Sequence, residues 1–382
     1  MGRRSYIPQD GSELTPAWFS EVLGGSVTAV DRQLIGDGIG FMGELHRCRL
    51  TWSDGSDAGP EAVVVKMPSQ VVKNRSLGEA LQVYEREIVV YRELADRLGV
   101  SVPTHHHSDL DPNPAPWLER VLVMLFERLP VGGVSWVLNR LLGLGARSKR
   151  RYLLVMEDVA DARPPTQAQG GSLDDALEGL RVLARFHAAN WMAEEVVAHH
   201  PIVWGVDRTP KVVQASYRRN REPFMDRFAS ALGPAMVTHM DRIQAELCDL
   251  APRLTEPPWT LLHGDYRLDN LLFRPDGEVV VLDWQGMGYG RAGWDVAYFI
   301  TTALAPEHRT EEAVMLETYH QALLEAGVTG YERADLDADV RLTKEILVHR
   351  MVAGDDLLDT AKDGDEALVD VLVTRVAGWL ET

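Results

Sequence analysis

The sequence contains few cysteines, no long uncharged apolar run and no excess of basic residues, and each absence excludes a class of protein. Cys48 and Cys248 are the only cysteines, too few for a disulfide framework or a four-ligand zinc site, so we expect a reducing, cytoplasmic location. No run of about 18 uncharged apolar residues is present to span a membrane. The 57 Asp and Glu residues outnumber the 39 Lys and Arg residues, whereas nucleic-acid-binding proteins normally carry a basic surface. We therefore expect neither a transmembrane helix nor a nucleic-acid partner.

The length and the residue pattern predict an α+β protein with two lobes. A chain of 382 residues is long enough for two domains at roughly 150 residues each. The pattern of the first half predicts strands around one helix, and that of the second half predicts helices with one strand pair. The predicted strands cover residues 27–34, 44–52, 61–67, 121–126 and 152–157, the first helix covers residues 77–98, and the predicted hinge covers residues 160–172.

The most informative stretch is residues 261–285, LLHGDYRLDNLLFRPDGEVVVLDWQ. Its two apolar runs, joined by the turn sequence RPDG, predict a hairpin. Asp265 and Asn270 lie just before this hairpin and Asp283 lies just after it, so the three side chains come together at one end. Carboxylate and amide oxygens are ligands that Mg²⁺ prefers, with water and phosphate completing its coordination. The stretch therefore predicts a magnesium site.

The spacing within this stretch is that of a kinase catalytic loop. Asp265 precedes Asn270 by five residues, as the catalytic Asp precedes the metal-binding Asn in kinases, which carry another metal-binding Asp after a hairpin. Arg267 follows Asp265 by two residues, where a cation can stabilise a transferring phosphate. The alternative is a surface hairpin with scattered polar turn residues.

The motif HGDYRLDN, followed by VVVLDWQ, resembles the aminoglycoside phosphotransferase and choline kinase superfamily. The DWQ ending and the upstream VLARFHAANW are most similar to its ecdysteroid-kinase-like branch. The resemblance covers nearly the whole chain. It implies a protein-kinase-like fold, with a β-rich nucleotide-binding lobe at residues 1–157 and a helical lobe, holding the catalytic loop and the acceptor site, at residues 158–382. It also implies ATP and Mg²⁺ as cofactors.

The resemblance assigns roles to individual residues around the motif. Asp265 would accept the proton of the acceptor hydroxyl or orient it, with Arg267 as a second catalytic residue. Asn270 and Asp283 would hold Mg²⁺. Three further residues would support the loop rather than react: His187, His263 and Asp295.

The first half supplies candidates for the nucleotide contacts that the resemblance implies. Lys66 ends a predicted strand, where a lysine is costly to bury without a partner. Glu87 on the following helix is the expected partner, although Glu85 is close by and two separate solvated charges are the alternative. The backbone would supply the other contacts: a phosphate-binding turn with Gly36, Gly38 and Gly40, and an adenine-binding segment with Glu157 and Val159.

Together these features predict an ATP-dependent phosphotransferase that acts on a hydroxyl group of a small molecule. A bulky, partly apolar alcohol is the expected acceptor, because the insert at about residues 191–259 contains aromatic residues that could line a pocket but would equally build a core: Trp204, Tyr217, Phe224 and Phe228. The apolar stripe within residues 131–151 could be a lid, a lobe cap or a membrane-surface helix. Alternatives are an aminoglycoside- or choline-type phosphotransferase, a nucleotide-binding pseudokinase, and a metal-dependent hydrolase that would leave Lys66 unexplained.

Overall fold

A computed structural model describes residues 6–35, 43–53, 59–113, 116–145, 150–165, 170–354 and 363–380. Its amino-terminal part is built around an antiparallel sheet of five strands in the order β1-β2-β3-β5-β4. The strands are β1 (Val27–Ile35), β2 (Gly43–Trp52), β3 (Ala62–Pro68), β4 (His105–Leu110) and β5 (Tyr152–Glu157).

Strand β3 presents different residues to the two faces of the sheet because successive side chains alternate. Val63 and Val65 are fully buried in a core shared with Phe19 of helix α1 (Pro16–Leu23). Val64 and Lys66 therefore point to the opposite face, and Val64 packs against the core of the helical part. The alternation of one short strand thus directs a lysine toward the helical part of the protein.

Helices make up most of the remaining described residues, with four short strands among them. Helices α2 (Val72–Ala80) and α3 (Val83–Val89) follow β3, and α3 continues through a π-helical turn, Val90–Leu94. The further helices are α4 (Pro116–Arg128), α5 (Val131–Gly145), α6 (Leu173–Ala189), α7 (Glu194–His199), α8 (Pro210–Leu250), α9 (Gly293–Ala303), α10 (Glu312–Glu325), α11 (Arg333–Gly354) and α12 (Asp363–Leu380). The short strands form two pairs: β6 (Thr260–Leu262) with β9 (Gly288–Gly290), and β7 (Leu271–Phe273) with β8 (Val279–Val281).

The predicted strand at residues 121–126 is wrong, because these residues lie inside helix α4. A short apolar run does not distinguish a strand from a buried helical face by its composition alone. The helix buries Phe126 and partly buries Leu122, and these residues cluster with Val134 of α5 and Ala215 of α8. Helices α4 and α5, together called the α4–α5 segment, each pack against α8 in the helical part of the protein.

Pro103 and Pro112 are typical of a loop, but the segment between them forms strand β4. This strand pairs with β5 at the sheet edge, with His107 opposite Val155 and Leu110 opposite Tyr152. Proline is tolerated at the ends of an edge strand, where no ladder hydrogen bond is lost. The two prolines bracket the strand and do not exclude it. The division into lobes at residue 157 stays a prediction.

The short strands β6 to β9 lie within the core of the helical part. Trp284 and Phe299 are completely buried there, beside Leu261 of β6 and Leu271 of β7. The loops that follow β6 and β8 are therefore supported from below by packed side chains. Within the described ranges, the helices are either too short or too polar to cross a bilayer.

Candidate active site

Lys66 lies between two carboxylates where the sheet meets the helical part. Its Nζ is 2.8 Å from Glu87 Oε1 and 2.9 Å from Asp283 Oδ1. Burial disfavours the charged ammonium, but Asp283 and Glu87 outweigh this effect and raise the pKa of Lys66. Glu85 instead pairs with Arg150, at 2.7 Å. The structure therefore brings Lys66 together with the glutamate chosen from the sequence, while their roles toward a nucleotide stay predictions.

Asp283 is positioned by an unusual backbone conformation. Strand β8 ends at Val281, and Asp283 then adopts φ 60° and ψ 67° before the helical turn Trp284–Gly286. Left-handed backbone is uncommon for a residue with a Cβ atom, and it persists only where the surroundings enforce it. The buried Trp284 side chain fixes the turn directly behind Asp283. Burial alone would raise the pKa of Asp283, but the Lys66 ammonium overrides it and lowers this pKa.

Asp295 anchors the loop that carries Asp265. Its two carboxylate oxygens accept hydrogen bonds from the backbone N–H groups of His263, at 2.6 Å, and Gly264, at 2.9 Å. His187 Nε2 lies 3.3 Å from the same carboxylate, and the hydroxyl of Tyr319 lies 2.7 Å from His187 Nδ1. Asp295 and His187 are completely buried. These contacts are those of structural supports, as we expected for His187 and Asp295.

Asp265 is held by two neighbours from its own loop. The side-chain amide of Asn270 donates to the Asp265 carbonyl oxygen at 2.8 Å and reaches Oδ2 at 3.3 Å. Arg267 Nε lies 3.4 Å from the same Oδ2, and its Nη1 donates to Asp269 Oδ2 at 2.8 Å. Arg267 thus spans two carboxylates of the loop. This geometry suits orientation of Asp265, and a direct contact of Arg267 with phosphate stays a prediction.

Tyr298 is a neighbour of Asp265 that the motif did not reveal. Burial, together with the Asp265 carboxylate and a hydrogen bond to it, raises the pKa of Tyr298 well above its usual value. Tyr298 lies three residues after Asp295 in α9, so both fall on the face of the helix that meets the loop. That spacing is the signal in the sequence that could have identified it.

The residues around Asp283 fit a magnesium ion that also binds phosphate. The Asn270 amide nitrogen is directed at Asp265, which leaves its carbonyl oxygen for a cation. Asp283 Oδ1 contacts Lys66, and no donor among the described residues reaches Asp283 Oδ2. The backbone holds the two residues together, because Leu282 N donates to Asn270 O at 2.8 Å. In the described part of the chain, no three His, Cys, Asp or Glu side chains form a metal cluster. Water and phosphate oxygens would complete the coordination of an ion held by Asn270 and Asp283.

The remaining predicted nucleotide residues are only partly placed. Gly36, Gly38 and Gly40 lie outside the described residues. Glu157 ends β5, and its carboxylate accepts from the Thr104 amide at 3.0 Å. Val159 is buried just beyond the strand. The backbone contacts of Glu157 and Val159 with adenine stay predictions.

Arg86 ties the helix that carries Glu87 to the segment after Asp283. Its Nη1 donates to Gln285 O at 2.8 Å, and its Nε donates to Ile202 O at 3.2 Å. The guanidinium also lies 4.4 Å from the centroid of the Trp204 ring. Arg86 is buried. The sequence motif does not reveal this residue, because its hydrogen-bond partners are backbone carbonyls, which have no sequence signature.

The aromatic residues of the insert are mainly core. Tyr217, Phe224 and Phe228 are buried in one cluster between α8, α11 and α12. Trp204 stacks with Arg86 and also with Arg208, 4.0 Å from its ring centroid. Tyr217, Phe224 and Phe228 therefore do not line an open acceptor site. The sequence allowed either a pocket or a core role for these residues, and the structure places them in the core.

The model of the ecdysteroid kinase-like family matches residues 37–328. The chain belongs to this family. Membership indicates a small-molecule phosphotransferase with a kinase-like fold, as the resemblance implied. A comparison with curated proteins finds no match.

Solved structures with the same overall fold are known. The complex of APH(2")-IIia with GDP and kanamycin is 12% identical and has a TM-score of 0.50, with 93% of this chain and 95% of that chain covered. Macrolide 2'-phosphotransferase MphH from Brachybacterium faecium is 16% identical, with a TM-score of 0.46 and coverage of 93% and 96%. Aminoglycoside-3'-phosphotransferase of type VIII is 19% identical, with a TM-score of 0.44 and coverage of 84% and 94%. At 12% identity, the likeness to the first of these structures concerns the fold alone.

Proposed function

We propose that this protein transfers the γ-phosphoryl group of ATP to a hydroxyl group of a small molecule. The observation that carries the proposal is the convergence of Lys66, Glu87 and Asp283 beside the loop of Asp265 and Asn270. A phosphotransferase needs these elements together: a fixed cation, oxygen ligands for a metal ion, and a carboxylate aimed at the acceptor.

Each residue has a defined task in the proposed reaction. The acceptor oxygen forms a bond to the γ-phosphorus while the bond from that phosphorus to the bridging oxygen of ADP breaks. Asp265 takes the hydroxyl proton, and Arg267 and Tyr298 keep its carboxylate in place. Lys66 binds the phosphates, and Glu87 keeps Lys66 extended toward them. Mg²⁺ held by Asn270 and Asp283 would neutralise charge on the phosphates. The contribution of the chain is mainly positioning and charge compensation.

For the acceptor we propose a bulky, partly apolar alcohol. Support comes from the α4–α5 segment, in which α5 contacts both α2 and α8 and shares an apolar cluster with α4. If this segment covers the acceptor, binding would be stabilised by roughly 25 cal/mol for each Å² of apolar acceptor surface removed from water. Aminoglycoside-type acceptors are the second candidate, because kanamycin is bound in one structure of the same fold.

An ATP-turnover screen over a mixed panel of alcohols tests the proposal. The panel should contain sterol-like alcohols, hydroxyacyl thioesters, choline-like amines and kanamycin-like sugars. We expect turnover that depends on one apolar alcohol and on Mg²⁺. Kanamycin turnover that exceeds every apolar alcohol and collapses with added salt would overturn the acceptor class, because salt screens exposed charges within about 8 Å. ATP binding without turnover on any alcohol would instead support a pseudokinase.

A further inference from the structure

Arg350 of α11 is a partly buried cation that has no carboxylate partner. Its Nη2 donates to the carbonyl oxygen of Val206, whereas its Nε is buried and has no hydrogen-bond partner. In the part of the chain that the structure describes, no Asp or Glu forms an ion pair with this guanidinium. A cation that is removed from water without a counter-charge is costly, so such groups are normally paired.

The contrast with Arg267 shows how unusual this environment is. Burial disfavours the charge of Arg267, but the carboxylates of Asp265 and Asp269 outweigh this effect and raise its pKa. Burial instead lowers the pKa of Arg350 to about 10, because the charge of Asp207 offsets the lost hydration only in part. Arg350 is still charged at neutral pH, and it retains the capacity to bind an anion.

One face of α9 connects Arg350 to the loop of the proposed base. The guanidinium of Arg350 lies 4.7 Å from the ring centroid of Trp294. Tyr298 lies one helical turn further along α9 and hydrogen-bonds to Asp265. Side chains four residues apart in a helix are neighbours on its surface. The unpaired cation and the carboxylate that would receive the acceptor hydroxyl are therefore contacted by neighbouring side chains of the same helix.

The packing of α11 against α9 agrees with this placement. Ile346 of α11 clusters with Trp294, and Met351 packs against the same apolar cluster as Tyr298. Residues 346–351 of α11 thus follow the face of α9 that carries both aromatic side chains. Arg350 lies within this stretch.

The carbonyl group that Arg350 contacts belongs to the segment that leads into α8. Val206 lies four residues before this helix begins at Pro210. Lys211, in the first turn of α8, donates to the carbonyl oxygen of Glu127 in α4 at 2.7 Å. The α4–α5 segment, which we propose as a cover for the acceptor, therefore contacts the chain close to Arg350.

We propose that Arg350 binds an acidic group of the acceptor, a carboxylate or a phosphate, while Asp265 receives the acceptor hydroxyl. A guanidinium has five N–H donors, and Val206 uses one of them. Charge-assisted hydrogen bonds from the others would supply the counter-charge that the described residues do not provide. The acceptor is then a hydroxy acid with an apolar body, and a polycationic sugar would be repelled. This inference rests on the proposed phosphotransfer, because it names a second group on the same acceptor.

Matched acids and esters test the proposal. The probes are ω-hydroxydodecanoic acid, cholic acid and ω-hydroxydodecyl phosphate, each compared with its neutral methyl ester. Isothermal titration in the presence of ADP and Mg²⁺ measures their binding to the full chain. We expect at least one acid to bind about tenfold more tightly than its ester. The carboxylate and phosphate probes distinguish the two kinds of acidic group.

Variants of Arg350 test whether this side chain causes the preference. Arg350→Gln should weaken binding of the acid about tenfold and leave binding of the ester nearly unchanged. Arg350→Lys should keep part of the preference, because it keeps the charge. Arg341→Gln is the matched control, since Arg341 is an exposed arginine on the same helix, and it should bind like the parent. In turnover assays the loss should appear in KM rather than in kcat.

Protein stability provides a test that needs no acceptor. Arg350→Met should unfold at the same urea concentration as the parent or at a higher one, because it removes a buried charge that has no partner. Arg291→Met is the comparison, since Arg291 pairs with Asp339 at 2.8 Å, and it should unfold at a clearly lower concentration. A loss in Arg350→Met as large as that in Arg291→Met would show that Arg350 is a structural contact and would overturn the proposal.

The binding assay separates failure of this inference from failure of the proposed phosphotransfer. Equal binding of acids and esters to the parent, or no binding of any acid, would overturn the inference even if another alcohol is phosphorylated. Equal losses for acid and ester in Arg350→Gln would do the same. Binding of an acid that depends on Arg350, without phosphorylation of any alcohol, would contradict the phosphotransfer and leave the anion site in place.

Discussion

Lys66 Nζ lies 2.9 Å from Asp283 Oδ1, although the two residues are 217 positions apart in the chain. The contact joins strand β3 of the sheet to the end of the β7–β8 hairpin in the helical part. It places the cation proposed for phosphate binding directly beside a proposed magnesium ligand. The proposed nucleotide and metal sites therefore adjoin each other. To distinguish variants of Lys66 from variants of Asp283, ATP binding and the Mg²⁺ dependence of that binding must be measured separately.

Glu87→Gln should raise the KM for ATP and lower kcat/KM about tenfold to a hundredfold, because Lys66 loses one of its two carboxylates. Steady-state kinetics at saturating acceptor measures this. Glu85→Gln is the matched control, since Glu85 lies two residues away on the same helix and pairs with Arg150. Equal effects of the two changes would remove Glu87 from the nucleotide site.

Asp283→Asn should raise the Mg²⁺ concentration needed for half-maximal ATP binding about tenfold, because a carboxylate ligand becomes a neutral amide. A magnesium titration of fluorescent ATP binding, without acceptor, measures the shift. Lys66→Met is the comparison, since it removes a phosphate contact and no oxygen ligand, and it should weaken ATP binding while leaving the Mg²⁺ midpoint nearly unchanged. An unaltered midpoint in Asp283→Asn would contradict the metal assignment.

Asp265→Asn should lower turnover by about 10²- to 10⁴-fold, the usual contribution of a general base, while ATP binding persists. Isothermal titration and turnover assays on the same preparation separate the two effects. The control is Asp276→Asn in the β7–β8 turn, where the carboxylate only accepts from Glu278 N at 3.0 Å. Turnover of Asp265→Asn within tenfold of the parent would remove Asp265 from the role of base.

His349 should make the protein lose stability in mild acid. It is completely buried, stacks on Tyr217 at 4.1 Å and contacts Gln244 Oε1 at 2.7 Å through Nε2. Burial, with a smaller contribution from Arg350, lowers the pKa of His349 to about 3. The unfolded chain takes up this proton near pH 6.5, whereas the folded chain stays neutral. Stability is thus fully present above pH 6.5 and falls by about 1.4 kcal/mol for each pH unit below it.

Urea unfolding at pH 7.0 and pH 4.5 measures this dependence. His349→Gln should reduce the loss between the two pH values by about 2 to 3 kcal/mol. The exposed His308→Gln is the control and should leave the loss unchanged. Other histidines with a lowered pKa also make the free energy of unfolding depend on pH. The test is therefore the difference in this pH dependence between the parent and His349→Gln. An identical pH dependence in parent and His349→Gln would show that this histidine is charged in the folded protein.

The sequence predicted the parts of the site that depend on local order. Lys66 ends an apolar run where an unpaired lysine is costly to bury, and Glu87 lies before an inward-facing apolar run, so these local patterns predicted the pair. Arg86 donates hydrogen bonds to the backbone carbonyls of Gln285 and Ile202. These bonds depend on the tertiary packing of distant segments, so no local sequence pattern predicts them. Residues 121–126 were misassigned for a related reason: their apolar character is shared by strands and helices, and contact with α8 decides between them.

Arg86 has a consequence for how such an enzyme is controlled. A kinase that is switched by swinging the helix of its ion-pairing glutamate must release that helix at little cost. Here release would break the Arg86 hydrogen bonds to two separate segments and expose the Trp204 ring. The groups proposed for catalysis are thus held together before any ligand binds, and we expect no separate activation step. The rate in the cell would then follow the supply of its two substrates rather than any signal read by the protein.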